Sequence, residues 1–351
     1  MSAPSVPAGA PAPVAVVTGA SGWLGQNLVR TLAARSRERV RCLVPDPAEA
    51  PPLELVSPAI ETVTGDVRDP AAVDRLFDGV GAAAAVFHAA AVIHPRKTIR
   101  ELFDVNVGGT QLMLDRARRA GAARFVHVSS NSPFGVNPGP EDVFTEDSPY
   151  DPYMGYGRSK QEAEQLVKRA HDRGDLGTVT VRAPWFYGPY QPPRQSRFFA
   201  AVRKGRFPLV GDGSQKRSMV YTDNLVQGLL RAEVADKAPG NAYWVADAEP
   251  YELREILATV RRALAAEGLA VSGPERVLLP RAAARAAERA DALLQDRGRY
   301  SQALHVLGEL NHTIACDITR AREELGYDPA VSLEEGMRAS IRWCLEHGEL
   351  V

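Results

Sequence analysis

Val14-Ala15-Val16-Val17-Thr18-Gly19-Ala20-Ser21-Gly22-Trp23-Leu24-Gly25-Gln26-Asn27-Leu28-Val29 is the stretch that decides how the rest of the chain is read. A β-branched run enters a glycine turn, and Leu24, Leu28 and Leu32 leave it at helical spacing, so the segment predicts strand, turn, helix. The glycines stand at G-x-x-G-x-x-G spacing. Gly19 suits the tight turn, Gly22 the close approach of a pyrophosphate to backbone N–H groups, and Gly25 the packing of helix on strand. Such a pattern alone could be an ordinary loop; its place directly after a buried strand, near the start of a domain, argues for a dinucleotide-binding turn. Ser21, Trp23 and Leu24 lie within the same turn and join the glycines as binding candidates.

Outward from this turn, apolar runs at 40–44, 60–64, 84–87, 124–128 and 178–182 alternate with helical patterns, the longest at about 98–119 and 156–170. Strands alternating with helices imply an α/β fold of Rossmann type, a doubly wound parallel sheet whose ligands lie beyond the carboxyl ends of the strands. The dinucleotide-binding domain is expected over 14–182, after a disordered tail at 1–13. A smaller, mostly helical substrate lobe is expected over 183–351, with some segments returning to the first domain. It opens with the aromatic, proline-rich loop 183–193, a candidate substrate wall through Trp185, Phe186 and Tyr190. The segment 281–297, rich in alanine and arginine, reads as a solvated amphipathic helix.

The second informative stretch is Tyr156-Gly157-Arg158-Ser159-Lys160. Residues four apart on a helix share a face. A free phenol ionises near pH ~10 and is a poor base at neutrality, whereas an adjacent ammonium stabilises the phenolate, so the pair can move protons. Ser129 and Ser130 end the strand at 124–128, and Asn106 lies in the long helix before it.

Net charge is −1 over 351 residues, which gives no global field for nucleic acid or an anionic membrane. No stretch reaches the ~18 apolar residues of a spanning helix, and the first thirteen residues lack the pattern of a signal peptide. Three distant cysteines, Cys42, Cys316 and Cys344, fit reduced thiols in a cytoplasmic protein. The histidines show no metal-ligand spacing, so no metal site is expected. A homodimer is left open.

Taken together, Thr18 to Gly25, Gly65-Asp66-Val67, Phe87-His88-Ala89-Ala90-Ala91, Asn106-Val107-Gly108-Gly109-Thr110, Ser129-Ser130, Tyr156 with Lys160, and Arg182 followed by Tyr187-Gly188-Pro189 resemble an extended short-chain dehydrogenase/reductase of the NAD-dependent epimerase/dehydratase superfamily. The resemblance runs from about residue 14 to 347. It implies NAD as cofactor, with NADP left open, and places Asp66 and Val67 near the adenine, Ala89, Ala90 and Ala91 along the cofactor, and Pro184 beside it. It also implies a catalytic group of Ser130, Tyr156, Lys160 and Asn106; Ser130 is preferred to Ser129 by counting back from Phe134-Gly135. Val44 stands where many NAD users have an aspartate, so Asp46, two residues later, is the ribose candidate; Arg35, Arg37 and Arg39 are the candidates for a 2′-phosphate.

Gly211-Asp212-Gly213, the stretch Arg217 to Asn224, the helical insertion at about 275–310 and the segment 317–336 look most like the 3β-hydroxysteroid dehydrogenase-like branch and related ketoreductases. Arg217, however, stands where nucleotide-sugar epimerases hold a diphosphate; a surface salt bridge is the alternative role. Trp185 departs from the asparagine frequent in those epimerases, and Ser130-Asn131 lacks the Asp-Glu of dehydratases. The expected function is an NAD(P)-dependent alcohol dehydrogenase or ketoreductase acting on a largely apolar small molecule, steroid-like or a natural-product intermediate. The alternatives are a nucleotide-sugar epimerase and a non-catalytic cofactor sensor.

Overall fold

The strands β1 (Val14–Thr18), β2 (Arg39–Val44), β3 (Ile60–Thr64), β4 (Ala85–His88), β5 (Arg124–Ser130) and β6 (Thr178–Ala183) form one sheet with the strand Ala242–Trp244, in the order Ala242–Trp244, β6, β5, β4, β1, β2, β3. Every pairing within it is parallel. The computed structural model describes residues 12–351 apart from 36, 97, 175, 274–276 and 350. Most of the expected tail lies outside these residues. Ala12 is an exception: it is buried, its N–H donating to Glu233 at 3.0 Å and its carbonyl accepting from Arg37 at 2.6 Å.

A sheet covered by helices on both faces buries both sides of its strands, and the nearly continuous apolar runs of β1 and β4 follow from that, while β6 (Thr178–Ala183) is as deeply buried with threonines and Arg182 among its valines. Each of these strands is buried through nearly all of its length. Strand order reverses between β1 and β4, so the loops after these two strands diverge and open a crevice at the carboxyl edge. The glycine turn after β1 and the segment Ala89–Ala91 after β4 both lie at that point. They touch: Gly19 has φ +69°, and a Cβ there would stand 2.8 Å from the Ala89 and Ala90 backbone. Only glycine lets the two loops pass.

The part after residue 183 is not one continuous lobe. The helix Thr222–Val234 packs on the first helix, Trp23–Ala34, and leads to the seventh sheet strand. A second apolar core joins the strands Trp185–Tyr187 and Met219–Tyr221 with the helices Pro193–Arg203, Leu253–Ala266 and Leu333–Glu346. The helix Arg281–Asp296 is not simply solvated. Its Ala284, Ala287, Asp291 and Gln295 are buried, and it packs on the helix Gln302–Glu309 and on the helix Met154–Asp172. No helix among the described residues is long and apolar enough to cross a membrane.

Candidate active site

The first turn of the helix Trp23–Ala34 carries no side-chain cap at Gly22 and no acidic residue. Its orphan N–H groups and the positive end of its dipole are therefore available to an anion, and Gly22 is exposed at that point. Gly25 is where helix meets turn: a Cβ there would lie 1.9 Å from the Gly19 carbonyl oxygen. Leu24 is buried beneath the turn, while Trp23 donates its indole N–H to the Gly188 carbonyl at 3.0 Å and packs on Phe186. The turn thus fits the pyrophosphate of a dinucleotide.

Around the adenosine end, the sequence candidates are drawn into local structure. Asp46 caps the short 3-10 helix Pro47–Glu49, its Oδ1 accepting from Ala48 N at 2.9 Å. That turn carries Glu49 back to the glycine turn, where Ser21 Oγ donates to its carboxylate. Glu49 was not legible as a partner of Ser21, because the contact depends on how the turn after β2 folds. Asp66 pairs with Arg68 at 2.6 Å, and Val67 is buried against Gly109. Of the arginines offered for a 2′-phosphate, Arg37 is committed to Glu233 at 2.5 Å and Arg39 to Glu61 at 2.8 Å.

At the carboxyl end of β5 the two serines diverge. Ser129 Oγ donates to Glu164 at 2.5 Å, whereas Ser130 Oγ lies 3.3 Å from Ser132 Oγ, accepts from Ser132 N at 3.3 Å and pulls the Tyr156 phenol downward. Tyr156 lies in the first turn of the helix Met154–Asp172, one turn before Lys160. Burial pushes its phenol up to about 12 against the Ser130 hydroxyl, with Glu309 adding a smaller upward push. The expectation that Lys160 lowers the phenol is therefore not met in this arrangement. Lys160 Nζ donates to the Val128 carbonyl at 2.7 Å and meets His127 Nε2 at 3.3 Å. Burial holds the ammonium down at about 8, opposed by Glu164.

Asn106 plays a different part from the one expected. It sits in a π-helical turn, Asp104–Gly109, that interrupts the long helix. Its amide accepts from Val92 N at 2.8 Å and donates to the Val92 carbonyl at 2.9 Å and to Ser159 Oγ at 3.0 Å. Ser159 in turn donates to the Tyr156 carbonyl at 2.8 Å. Asn106 therefore ties the loop after β4 to the catalytic helix and acts through its neighbours.

The substrate side differs most from expectation. Arg217 is buried, neither a surface salt bridge nor a free cation. It donates to the Glu309 carbonyl, lies 3.8 Å from the Glu309 carboxylate and stacks over Trp185 at 4.8 Å. Tyr190, at φ +64°, packs against Arg30 and Trp343. Pro184 is buried between β6 and the strand Trp185–Tyr187. Above the catalytic helix, Gln295 accepts from Gly155 N at 3.1 Å and donates to Asp291, which also pairs with His305 at 2.8 Å. His312 meets Glu288 at 3.1 Å. Each of these histidines thus has one carboxylate partner, and no group of three metal-ligating side chains occurs among the described residues.

Residues 15–246 match the NAD dependent epimerase/dehydratase family. The chain is a member of that family. The enzyme is thus an NAD-dependent oxidoreductase of the extended short-chain dehydrogenase/reductase type, with NAD as its cofactor. It is 44% identical to an uncharacterized protein of Sinorhizobium fredii over 96% of this chain and 97% of the relative. It is 31% identical to the 4-hydroxy-2-methyl-3-oxo-4-farnesyl-3,4-dihydroquinoline-1-oxide ketoreductase of Stigmatella aurantiaca, over 92% of this chain and 94% of that one. Among solved structures it is similar to the dTDP-glucose 4,6-dehydratase of Streptomyces venezuelae with NAD bound, at TM-score 0.73 and 25% identity, over 95% and 97% of the two chains.

Proposed function

We propose that the enzyme is a ketoreductase or alcohol dehydrogenase that interconverts a keto and a hydroxy group on a largely apolar small molecule. The observation that carries this reading is the commitment of Arg217. A diphosphate needs a cation free to form charge-assisted hydrogen bonds, and Arg217 is buried against Trp185, donating to the Glu309 carbonyl with the Glu309 carboxylate 3.8 Å away. Similarity along nearly its whole length to a reductase named for a farnesyl-bearing ketone points the same way.

In the reductive direction the Ser130 hydroxyl hydrogen-bonds the carbonyl oxygen and holds it beside the Tyr156 phenol. Tyr156 gives its proton to that oxygen as the alkoxide charge develops, and takes one back in the oxidative direction. A phenol held at about 12 by burial keeps its proton at neutrality, which suits the acid role. Lys160, one turn on, is the cation assigned to offset the phenolate as substrate binds; with its Nζ on the Val128 carbonyl it does not shift the phenol at rest. The bound nicotinamide supplies or accepts the hydride.

The test is turnover of the purified enzyme with NADH on hydrophobic β-keto compounds and ketosteroids, beside UDP- and dTDP-hexoses. NADH oxidation with the apolar ketones alone supports the proposal. Interconversion of a sugar nucleotide without added cofactor refutes it in favour of an epimerase.

A further inference from the structure

Behind the catalytic lysine lies a pair of buried histidines that the chemistry above does not use. His127 is on β5, three residues before Ser130, and its Nε2 is 3.3 Å from Lys160 Nζ. Its ring stacks on that of His88 at the end of β4, with centroids 5.6 Å apart and planes at 29°. Both rings are 1% exposed.

Hydrogen bonding assigns the proton on His88. Thr110 Oγ1 donates to the Asn106 carbonyl at 2.6 Å, so at 2.9 Å from His88 Nε2 it can only accept. His88 therefore carries its hydrogen on Nε2, and Nδ1 accepts from the Thr18 hydroxyl at 2.7 Å. Both nitrogens are satisfied. His127 is different, because its Nδ1 is buried without a hydrogen-bond partner.

The lysine makes this asymmetry consequential. An ammonium has no lone pair, so while Lys160 is charged, His127 Nε2 must accept and the ring hydrogen is forced onto the unpartnered Nδ1. Once Lys160 is neutral, the ring hydrogen can move to Nε2 and donate to the amine, and only an acceptor is left unpaired. Buried orphan N–H groups are rarer in folded proteins than under-satisfied acceptors, so the donor is the less tolerated of the two. We propose that His127 is a positioning residue for Lys160: it holds the ammonium against β5, and its one-sided hydrogen bonding sets the pH range over which Lys160 is a cation.

The other charged and titratable groups around this pair are few. Tyr156 and Glu164 lie on the lysine's own helix, and His88 stacks behind His127. Glu164 is engaged by Ser129, Tyr150 and Arg182. Glu309, on the helix Gln302–Glu309, bears on the Tyr156 phenol through its charge alone. The lowered ionisation of both Lys160 and His127, caused first by burial, agrees with a neutral ring beside an easily discharged lysine.

This inference rests on Lys160 acting in the reaction proposed above, and its test does not need the substrate. The chain has six lysines, so in protein labelled with ¹³C-lysine the Lys160 signal can be assigned with Lys160→Met and titrated by NMR, with and without NAD. In His127→Gln an amide oxygen accepts without an orphan ring N–H, and the lysine midpoint should rise by about half a pH unit or more. In His127→Phe the acceptor is gone and the midpoint should fall by a similar amount. Opposite shifts in the two variants support the proposal, since a purely structural role would change melting temperature without moving the lysine in opposite directions. Midpoints unchanged from wild type in both, or moved the same way, overturn it. If the shifts appear while no ketone is turned over, the substrate assignment falls and the Lys160–His127 pairing stands.

Discussion

Gly22 and Gly25 stand three residues apart in one turn, yet alanine at each should fail for a different reason. A Cβ on Gly25 would lie 1.9 Å from the Gly19 carbonyl oxygen and 2.7 Å from Ala20 Cα, against an ordinary contact of ~3.5 Å. The obstacle is the backbone of the turn, so no side chain can swing aside. The helix Trp23–Ala34 would have to move off by more than ~1 Å, taking Leu24, Leu28 and Leu32 out of register with the core. Overpacking costs ~1–3 kcal/mol, and a forced backbone shift sits at the upper end. At ~2 °C or more per kcal/mol for a large domain, Gly25→Ala should lower Tm by about 6 °C. On Gly22 the same methyl would meet only the Gly19 oxygen at 3.1 Å, on extended backbone at φ −72° and ψ 172°. Gly22→Ala should therefore melt within about 2 °C of wild type but hold the pyrophosphate off the uncapped helix end, raising the NAD dissociation constant ~10-fold or more, the equivalent of ~1.4 kcal/mol. Thermal melts without ligand, and calorimetric titration with NAD, separate the two effects. Wild-type NAD affinity in Gly22→Ala, or a wild-type melt in Gly25→Ala, would refute this division of roles.

Removing the phenol in Tyr156→Phe should lower kcat by at least ~10²-fold and leave NAD affinity within a few-fold, measured by steady-state kinetics and titration. Arg217→Ala strands the buried Glu309 carboxylate, so it should cost roughly 3 kcal/mol in chemical denaturation, while wild-type protein should bind UDP no more tightly than the variant. Burial depresses the His88 imidazole to about 3. The unfolded chain takes up that proton near pH ~6.5, so stability is full above this pH and is lost below it, by about 2 kcal/mol between pH 7 and pH 5 for His88 alone. Urea melts across that range test the slope, and a flat profile would contradict a buried neutral ring. Asp46 and Glu49 at the end of β2, with Arg37 and Arg39 already ion-paired, should give NADH at least a tenfold advantage over NADPH in kcat/KM.

Much of the fold could be read from local pattern, because each parallel strand is a short segment rich in β-branched and apolar residues and each crossover helix carries its own period. The π-helical turn at Asp104–Gly109 could not, since its Gly108-Gly109 pair weakens a helix without specifying the wider turn. The same holds for the return of Ala242–Trp244 to β6, a pairing made by three residues with more than fifty between the strands.

The sequence by itself determined the glycine turn, the order of strands and helices, and the spacing that puts Tyr156 and Lys160 on one helical face, because all of these are consequences of backbone geometry within a few residues. Only the tertiary structure decided which partners those side chains meet. Glu309 and Arg217 are 92 residues apart in the chain, and Lys160 reaches His127 across 33. Ion pairs and buried hydrogen bonds of that kind depend on which helices the packed core brings together and on which polar atoms are then cut off from water. Charge and spacing along the chain carry no record of that choice.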